Sequence, residues 1–108
     1  CDKSIGFEID FSKIKLLPNL KEYVNLGMVP SGTYDNRDFR AKEIFEMDKI
    51  PAEITDILFD PQTSGGLLFA VSSQDANKLN EELNSNKIDA SIVGKVTNFN
   101  GKILIKNY

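Results

Sequence analysis

A chain of 108 residues with 41% apolar and 27% charged side chains has the composition of one small globular domain spanning residues 1–108. A net charge of −3 with scattered lysines leaves no basic face for nucleic acid, and no apolar run approaches the roughly 18 residues that cross a bilayer. Histidine is absent and Cys1 is the single cysteine, which excludes an internal disulfide, points to a reducing, cytoplasmic setting and leaves any chemistry to carboxylates, lysines, hydroxyls or backbone amides.

In chain order, Phe7 to Phe11 (FEIDF) alternates apolar and polar residues and predicts a half-buried strand. Residues 16–26 predict a helix with Leu17, Leu20, Tyr23 and Val24 on one face, Pro18 in its first turn and Gly27 closing it in a left-handed conformation. Residues 29–40 (VPSGTYDNRDFR) carry no sustained periodicity and predict a loop, long enough inside a compact domain to suggest function. Residues 51–59 predict a short helix that begins at Pro51 and turns Ile54, Ile57 and Leu58 inward.

The loop DPQTSGG (60–66) follows, and then LLFAV (67–71), apolar throughout, predicts a strand buried on both faces. Ser72 is placed to cap the next helix, with Asp75 in its first turn and Ala76, Leu79 and Leu83 on its inner face. Residues 91–97 and 102–106 predict two strands joined as a hairpin through Asn98-Phe99-Asn100-Gly101. The class is therefore α/β (mixed α+β), one mixed sheet covered by helices in the order β-α-loop-α-β-α-β-β. The opening Cys1-Asp2-Lys3-Ser4-Ile5-Gly6 has no initiator Met and no cap before its strand, and it reads as the start of a piece cut from a longer chain.

Two loops carry the candidate chemistry. In the first, Asp60, Gln62, Thr63, Ser64, Gly65 and Gly66 stand at the mouth of an apolar run. Adjacent glycines let backbone approach a ligand and tolerate positive φ, the two hydroxyls donate, and successive N–H groups can form an anion-binding concavity. The same residues also describe a structural turn into a strand, and the Gly-x-x-x-x-Gly-Lys-Ser/Thr spacing of a P-loop is missing, so both readings stand. In the second loop, Ser31, Thr33 and Asn36 surround Gly32, a grouping suited equally to an oxyanion and to turn chemistry. Asp35, Asp38 and Asp60 have the chemistry of Mg²⁺ ligands, but acids in loops are usually solvated and Asp is a common turn former. Cys1 has no adjacent base or fixed cation to lower its pKa.

Read together, Gly27-Met28-Val29-Pro30-Ser31-Gly32-Thr33 with Asn36, followed by Leu58-Phe59-Asp60-Pro61-Gln62-Thr63-Ser64-Gly65-Gly66-Leu67-Leu68, resembles the selenophosphate synthetases, or selenide, water dikinases. In that family V-P-x-G-T-x-x-N precedes D-P-Q-T-S-G-G-L-L at similar spacing, and the likeness covers nearly the whole chain but only the last third of a typical member. The resemblance implies the C-terminal domain fold of the aminoimidazole-ribonucleotide-synthetase-like superfamily. It also implies a parent homodimer that turns ATP, selenide and water into selenophosphate, AMP and phosphate with Mg²⁺, this chain packing against an ATP-binding N-terminal domain of the same chain. The family's catalytic Cys (or selenocysteine) and Lys, and its Mg²⁺-binding aspartates, lie in segments that do not occur here. The resemblance therefore carries over no catalytic residue and no metal ligand, and places only Gly32, Thr33, Asn36 and residues 60–66 at the edge of the nucleotide or phosphate site.

On this reading the chain alone is expected to be catalytically inert and to self-associate through the apolar surface that would otherwise meet the first domain. Two rivals remain: a non-catalytic domain serving structural or dimer contacts, and another ATP-dependent member of the superfamily acting on aminoimidazole or thiamin intermediates. The intact D-P-Q-T-S-G-G-L-L run argues against the second.

Overall fold

The computed structural model describes residues 4–108, so Cys1, Asp2 and Lys3 of the opening segment lie outside the described residues. Strand β1 (Gly6–Asp10) is the alternating FEIDF segment, ended by a short 3-10 turn at Phe11–Lys13. Asp10 caps that turn: its carboxylate accepts from the Ser12 N–H at 3.2 Å and from the Ser12 hydroxyl at 2.6 Å. The turn aims Phe11 into the core.

Helix α1 (Leu20–Asn25) is shorter than its apolar spacing predicts. Asn19, at φ 62°, breaks the backbone just before it, so Pro18 lies outside the helix rather than in its first turn. Leu20 and Val24 pack on the core, whereas Leu17 and Tyr23 face outward. Gly27, at φ 76°, ends the helix as expected: its N–H bonds the Val24 carbonyl and the Met28 N–H bonds that of Tyr23, the paired closure of a Schellman cap.

Residues expected to form a loop instead form α2 (Ser31–Arg40). A polar ten-residue segment containing glycine has little propensity of its own, so tertiary contacts hold it. Arg37 meets Asp56 at 3.2 Å and stacks over the Tyr34 ring, and Thr33 is wholly buried. Helix α3 (Ala52–Leu58) follows with Pro51 as its N-cap, and buries Ile54 and Ile57 as the spacing predicts, with Leu58 half-buried beside them.

The LLFAV segment is the largest departure. It forms no strand, and Leu67, Leu68 and Phe69 are 83%, 79% and 63% exposed rather than buried. Helix α4 (Ser73–Ser85) begins where Ser72 caps it, the hydroxyl oxygen accepting from the Asp75 N–H at 3.3 Å. Its Ala76, Leu79 and Leu83 are only half-buried.

Strands β2 (Gly94–Thr97) and β3 (Ile103–Lys106) complete a three-stranded sheet in the order β2-β1-β3, β1 antiparallel to β2 and parallel to β3. The expected hairpin pairing is thus replaced: the turn forms, with Asn100 and Gly101 at positive φ and Lys102 N–H bonded to Phe99 O at 2.8 Å, but β1 runs between the two strands. Gly6 lets it enter, because a Cβ there would sit 2.6 Å from the Lys102 carbonyl oxygen and 2.9 Å from that of Phe99. One sheet face carries Ile9, Ile103 and Ile105 into a core closed by Phe11, Ile50, Ile54 and Ile57. Mixed α and β structure with one mixed sheet matches the class read from sequence; the helices cover only part of it.

On the opposite face Glu8 sits between Lys106 at 2.8 Å and Lys95 at 3.4 Å. The Lys106 hydrogen bond, assisted by Lys95, holds the Glu8 carboxyl below its usual 4.5. Ser12, then Asn107, holds that of Asp10 below its usual 3.8. Depressed carboxyl pKa values contribute stability that is fully present above the unfolded values and is lost as pH falls through the folded ones. We therefore expect the denaturation midpoint to hold steady from neutrality to about pH 4.5 and to drop below it. In Glu8→Gln the acid limb should flatten; a limb as steep as that of the parent chain would assign the acid lability to other groups.

Candidate functional site

The two sequence clusters do meet. Asn36, on α2, donates from Nδ2 to the Phe59 carbonyl at 3.0 Å, at the end of α3 where the 60–66 loop departs. Four residues earlier on the same helix, a Cβ on Gly32 would lie 3.3 Å from Pro61 Cγ, so the glycine leaves room for the loop to cross the first turn of α2. Pro30 caps that turn and has no N–H; the Thr33 N–H is spent on the Pro30 carbonyl at 3.0 Å, and those of Ser31 and Gly32, at the positive end of the helix, have no partner among the described residues.

Thr33 completes the corner in an unexpected way. It is fully enclosed, and its hydroxyl has no hydrogen-bond partner among the described residues. Leaving a buried hydroxyl unpaired costs on the order of 1–3 kcal/mol, so a residue kept there calls for a reason.

The rest of the loop is open. Asp60 is half-buried, and Gln62 Nε2 donates to its carboxylate at 3.4 Å. Thr63 and Ser64 are exposed, and their hydroxyls make no hydrogen bond among the described residues. Neither glycine of the pair uses positive φ, contrary to one reason for expecting glycine there. Gly65 allows close approach, since a Cβ would fall 2.9 Å from Gln62 Cβ, whereas Gly66 has open space around it. The corner thus offers free N–H groups, two hydroxyls and a carboxamide within one short stretch of surface.

Asp35, Asp38 and Asp60 do not converge: no group of three or more Cys, Asp or Glu able to hold a metal occurs among the described residues. The residues present do not fit a Mg²⁺ site, and no chemistry here is routed through one. A separate depression of about 170 Å³ between Glu8, Asp10, Lys13, Ile92, Gly94 and Lys95 falls below the roughly 300–1,000 Å³ of small-molecule sites. No helix among the described residues is long and apolar enough to cross a membrane.

What sequence reasoning missed is the helix that organises the corner; Ser31, already a candidate by its chemistry, is the first residue of that helix. The Val29-Pro30-Ser31 start was the available signal: proline followed by a small hydroxyl residue suits a helix entry as well as a turn.

An open sheet with helices around one core, and a glycine-opened helix start beside a hydroxyl-rich loop, define a mixed α and β domain with one candidate binding corner. Residues 1–106 match the model of the family described as "AIR synthase related protein, C-terminal domain", and the chain belongs to it. It is 40% identical over 97 residues to a selenide, water dikinase of Campylobacter jejuni subsp. jejuni, a match covering 90% of this chain and 27% of that protein. It is 37% identical over 105 residues to the selenide, water dikinase of Treponema denticola (93% of this chain, 29% of that protein). A third, from Escherichia coli O139:H28, is 39% identical over 88 residues (82% and 24%). The match thus spans only 24–29% of the length of these relatives.

Proposed function

We propose that this chain is the C-terminal part of a selenide, water dikinase, a cytoplasmic homodimer that makes selenophosphate, AMP and phosphate from ATP, selenide and water. On this reading the corner of α2 and the 60–66 loop faces the phosphate groups. The observation that supports it most is the pairing of free Ser31 and Gly32 N–H groups with an enclosed, partnerless Thr33 hydroxyl, under a loop held by Asn36.

Phosphoryl transfer is mainly positioning and neutralisation of charge, and oriented donors serve both. Here Ser31 and Gly32 direct their N–H groups along the helix dipole, while Thr63, Ser64 and Gln62 supply donors from the loop. Asp60 orients Gln62. Asn36 holds the loop's near end, and Gly32, Gly65 and Gly66 keep the approach free of side chains. Mg²⁺ and the nucleophile belong to the parent's other domain, so this chain alone is inert.

In the whole protein, Thr63→Ala and Ser64→Ala should each lower turnover about tenfold, the worth of one hydrogen bond to a charged group, with little change in melting temperature. Variants that lose stability while turnover per folded molecule stays at the parent value would make the loop structural, as the scaffold reading holds.

A further inference from the structure

Asn100 is the one asparagine of this sequence that a glycine follows, and the pair forms the tip of the turn between β2 and β3. With Asn100 at φ 42°, Gly101 at φ 72° and the Lys102 N–H on the Phe99 carbonyl at 2.8 Å, the turn is of type I′, where both residues tolerate positive φ. The same placement exposes their chemistry. Asn100 is exposed, and neither its carboxamide nor the Gly101 N–H has a partner among the described residues. Gly101 has no Cβ to screen its own backbone nitrogen.

We propose that Asn100 is a site of spontaneous covalent modification, at which attack by the Gly101 nitrogen converts asparagine to aspartyl and isoaspartyl products. The Gly101 amide gives up its proton to hydroxide, and its nitrogen forms a bond to Asn100 Cγ. The carboxamide C–N bond breaks, and the nitrogen takes up a proton and leaves as ammonia. Water then opens the succinimide ring. Opening at Cγ leaves an ordinary aspartyl residue, and opening at the main-chain carbonyl leaves an isoaspartyl linkage through the former side chain. The sum is gain of water and loss of ammonia, with no oxidant or reductant.

Asparagines are thermolabile in general, but the others here are held or crowded. Asn84 precedes the small Ser85, yet both lie in α4, and Asn84 Nδ2 donates to the Asn80 and Ala90 carbonyls at 2.7 and 3.1 Å. Outside the helices, Asn19 and Asn98 precede the bulky Leu20 and Phe99. Ring closure also requires the backbone to leave its native dihedrals, and an exposed turn closed by one hydrogen bond opens more readily than a helix.

The product reaches the sheet. The Phe7 N–H bonds the Lys102 carbonyl at 2.9 Å, and the carbonyls of Lys102 and Phe99 are those that a Cβ on Gly6 would meet. An isoaspartyl linkage lengthens the turn by a methylene, which parts the Lys102 N–H from Phe99 and draws the Lys102 carbonyl off β1. The modification is independent of any phosphate at the corner of α2.

The test is to age the chain at mildly alkaline pH, digest it, and fragment the peptides by electron transfer, which separates the two products. Conversion is expected at Asn100 at least about tenfold faster than at any other asparagine, because this turn opens more often than the helices. It should rise with pH and vanish in Asn100→Gly, which keeps the positive φ. Faster conversion at another asparagine would overturn the proposal. So would a turn that stays unmodified while a free peptide of residues 97–103 converts. In the isoaspartyl chain the Phe7 amide should exchange about tenfold faster than in the unaged chain, with the Ile54 amide of α3 unchanged. Equal exchange at Phe7 would refute the effect on β1.

Discussion

Phe11→Ala is expected to cost about 3–5 kcal/mol, a large part of the roughly 5–15 kcal/mol that holds a domain of this size together. Phe11 is 3% exposed and, among the described residues, is the one aromatic in the buried apolar core. It reaches that core from the turn capped by Asp10 and packs beside Ile54, Ile57 and Ile105, so its loss leaves a cavity shared by the sheet and α3. Urea denaturation followed by circular dichroism should show the midpoint fall steeply or the transition vanish. A midpoint within a few tenths of molar of the parent's would mean that the core does not depend on this ring.

Gly94→Ala should also be clearly destabilising, through overpacking rather than a cavity. A Cβ at this position lands on the Glu8 carbonyl oxygen and 3.1 Å from the Ile9 Cα, both of them backbone rather than movable side chain. The strands must part to admit it, at about 1–3 kcal/mol for overpacking, together with loosening of the Ile9–Gly94 pair. The loss should appear in the same denaturation experiment, with exchange at the β1–β2 amides accelerated before that at α3. Wild-type stability in this variant would place β2 elsewhere.

The legible parts of the fold were those in which local chemistry and tertiary packing agree. Period-two alternation marked β1, Gly27 marked the close of α1, Ser72 marked the start of α4, and Ile54 and Ile57 marked the buried face of α3. Helix α2 was hidden because its stability comes from Arg37 meeting Asp56 and from Asn36 meeting Phe59, contacts distant in sequence. The exchange of a hairpin for an inserted β1 was hidden for a related reason. The Asn98–Gly101 turn satisfies hairpin chemistry whichever strand lies between its arms, and only the backbone contact at Gly6 reveals the insertion.

The candidate site was legible as two clusters, Gly32, Thr33 and Asn36 on one side and Asp60 to Gly66 on the other. Their meeting was not, since it rests on one carboxamide reaching one carbonyl. The partnerless Thr33 hydroxyl had no sequence signal at all. The apolar run at 67–71 shows the reverse: composition reads a strand, and its backbone finds no partners among the described residues.

The central claim, that the start of α2 and the 60–66 loop face phosphate, is tested most directly by titrating ATP and Mg²⁺ into isotopically labelled chain and following amide chemical shifts. The account predicts saturable shifts at Ser31, Gly32, Thr63, Ser64, Gly65 and Gly66, reduced in Thr33→Val, with the β1–β3 amides unmoved. Shifts centred instead on the Glu8, Lys13 and Lys95 depression, or none at millimolar nucleotide, would contradict it.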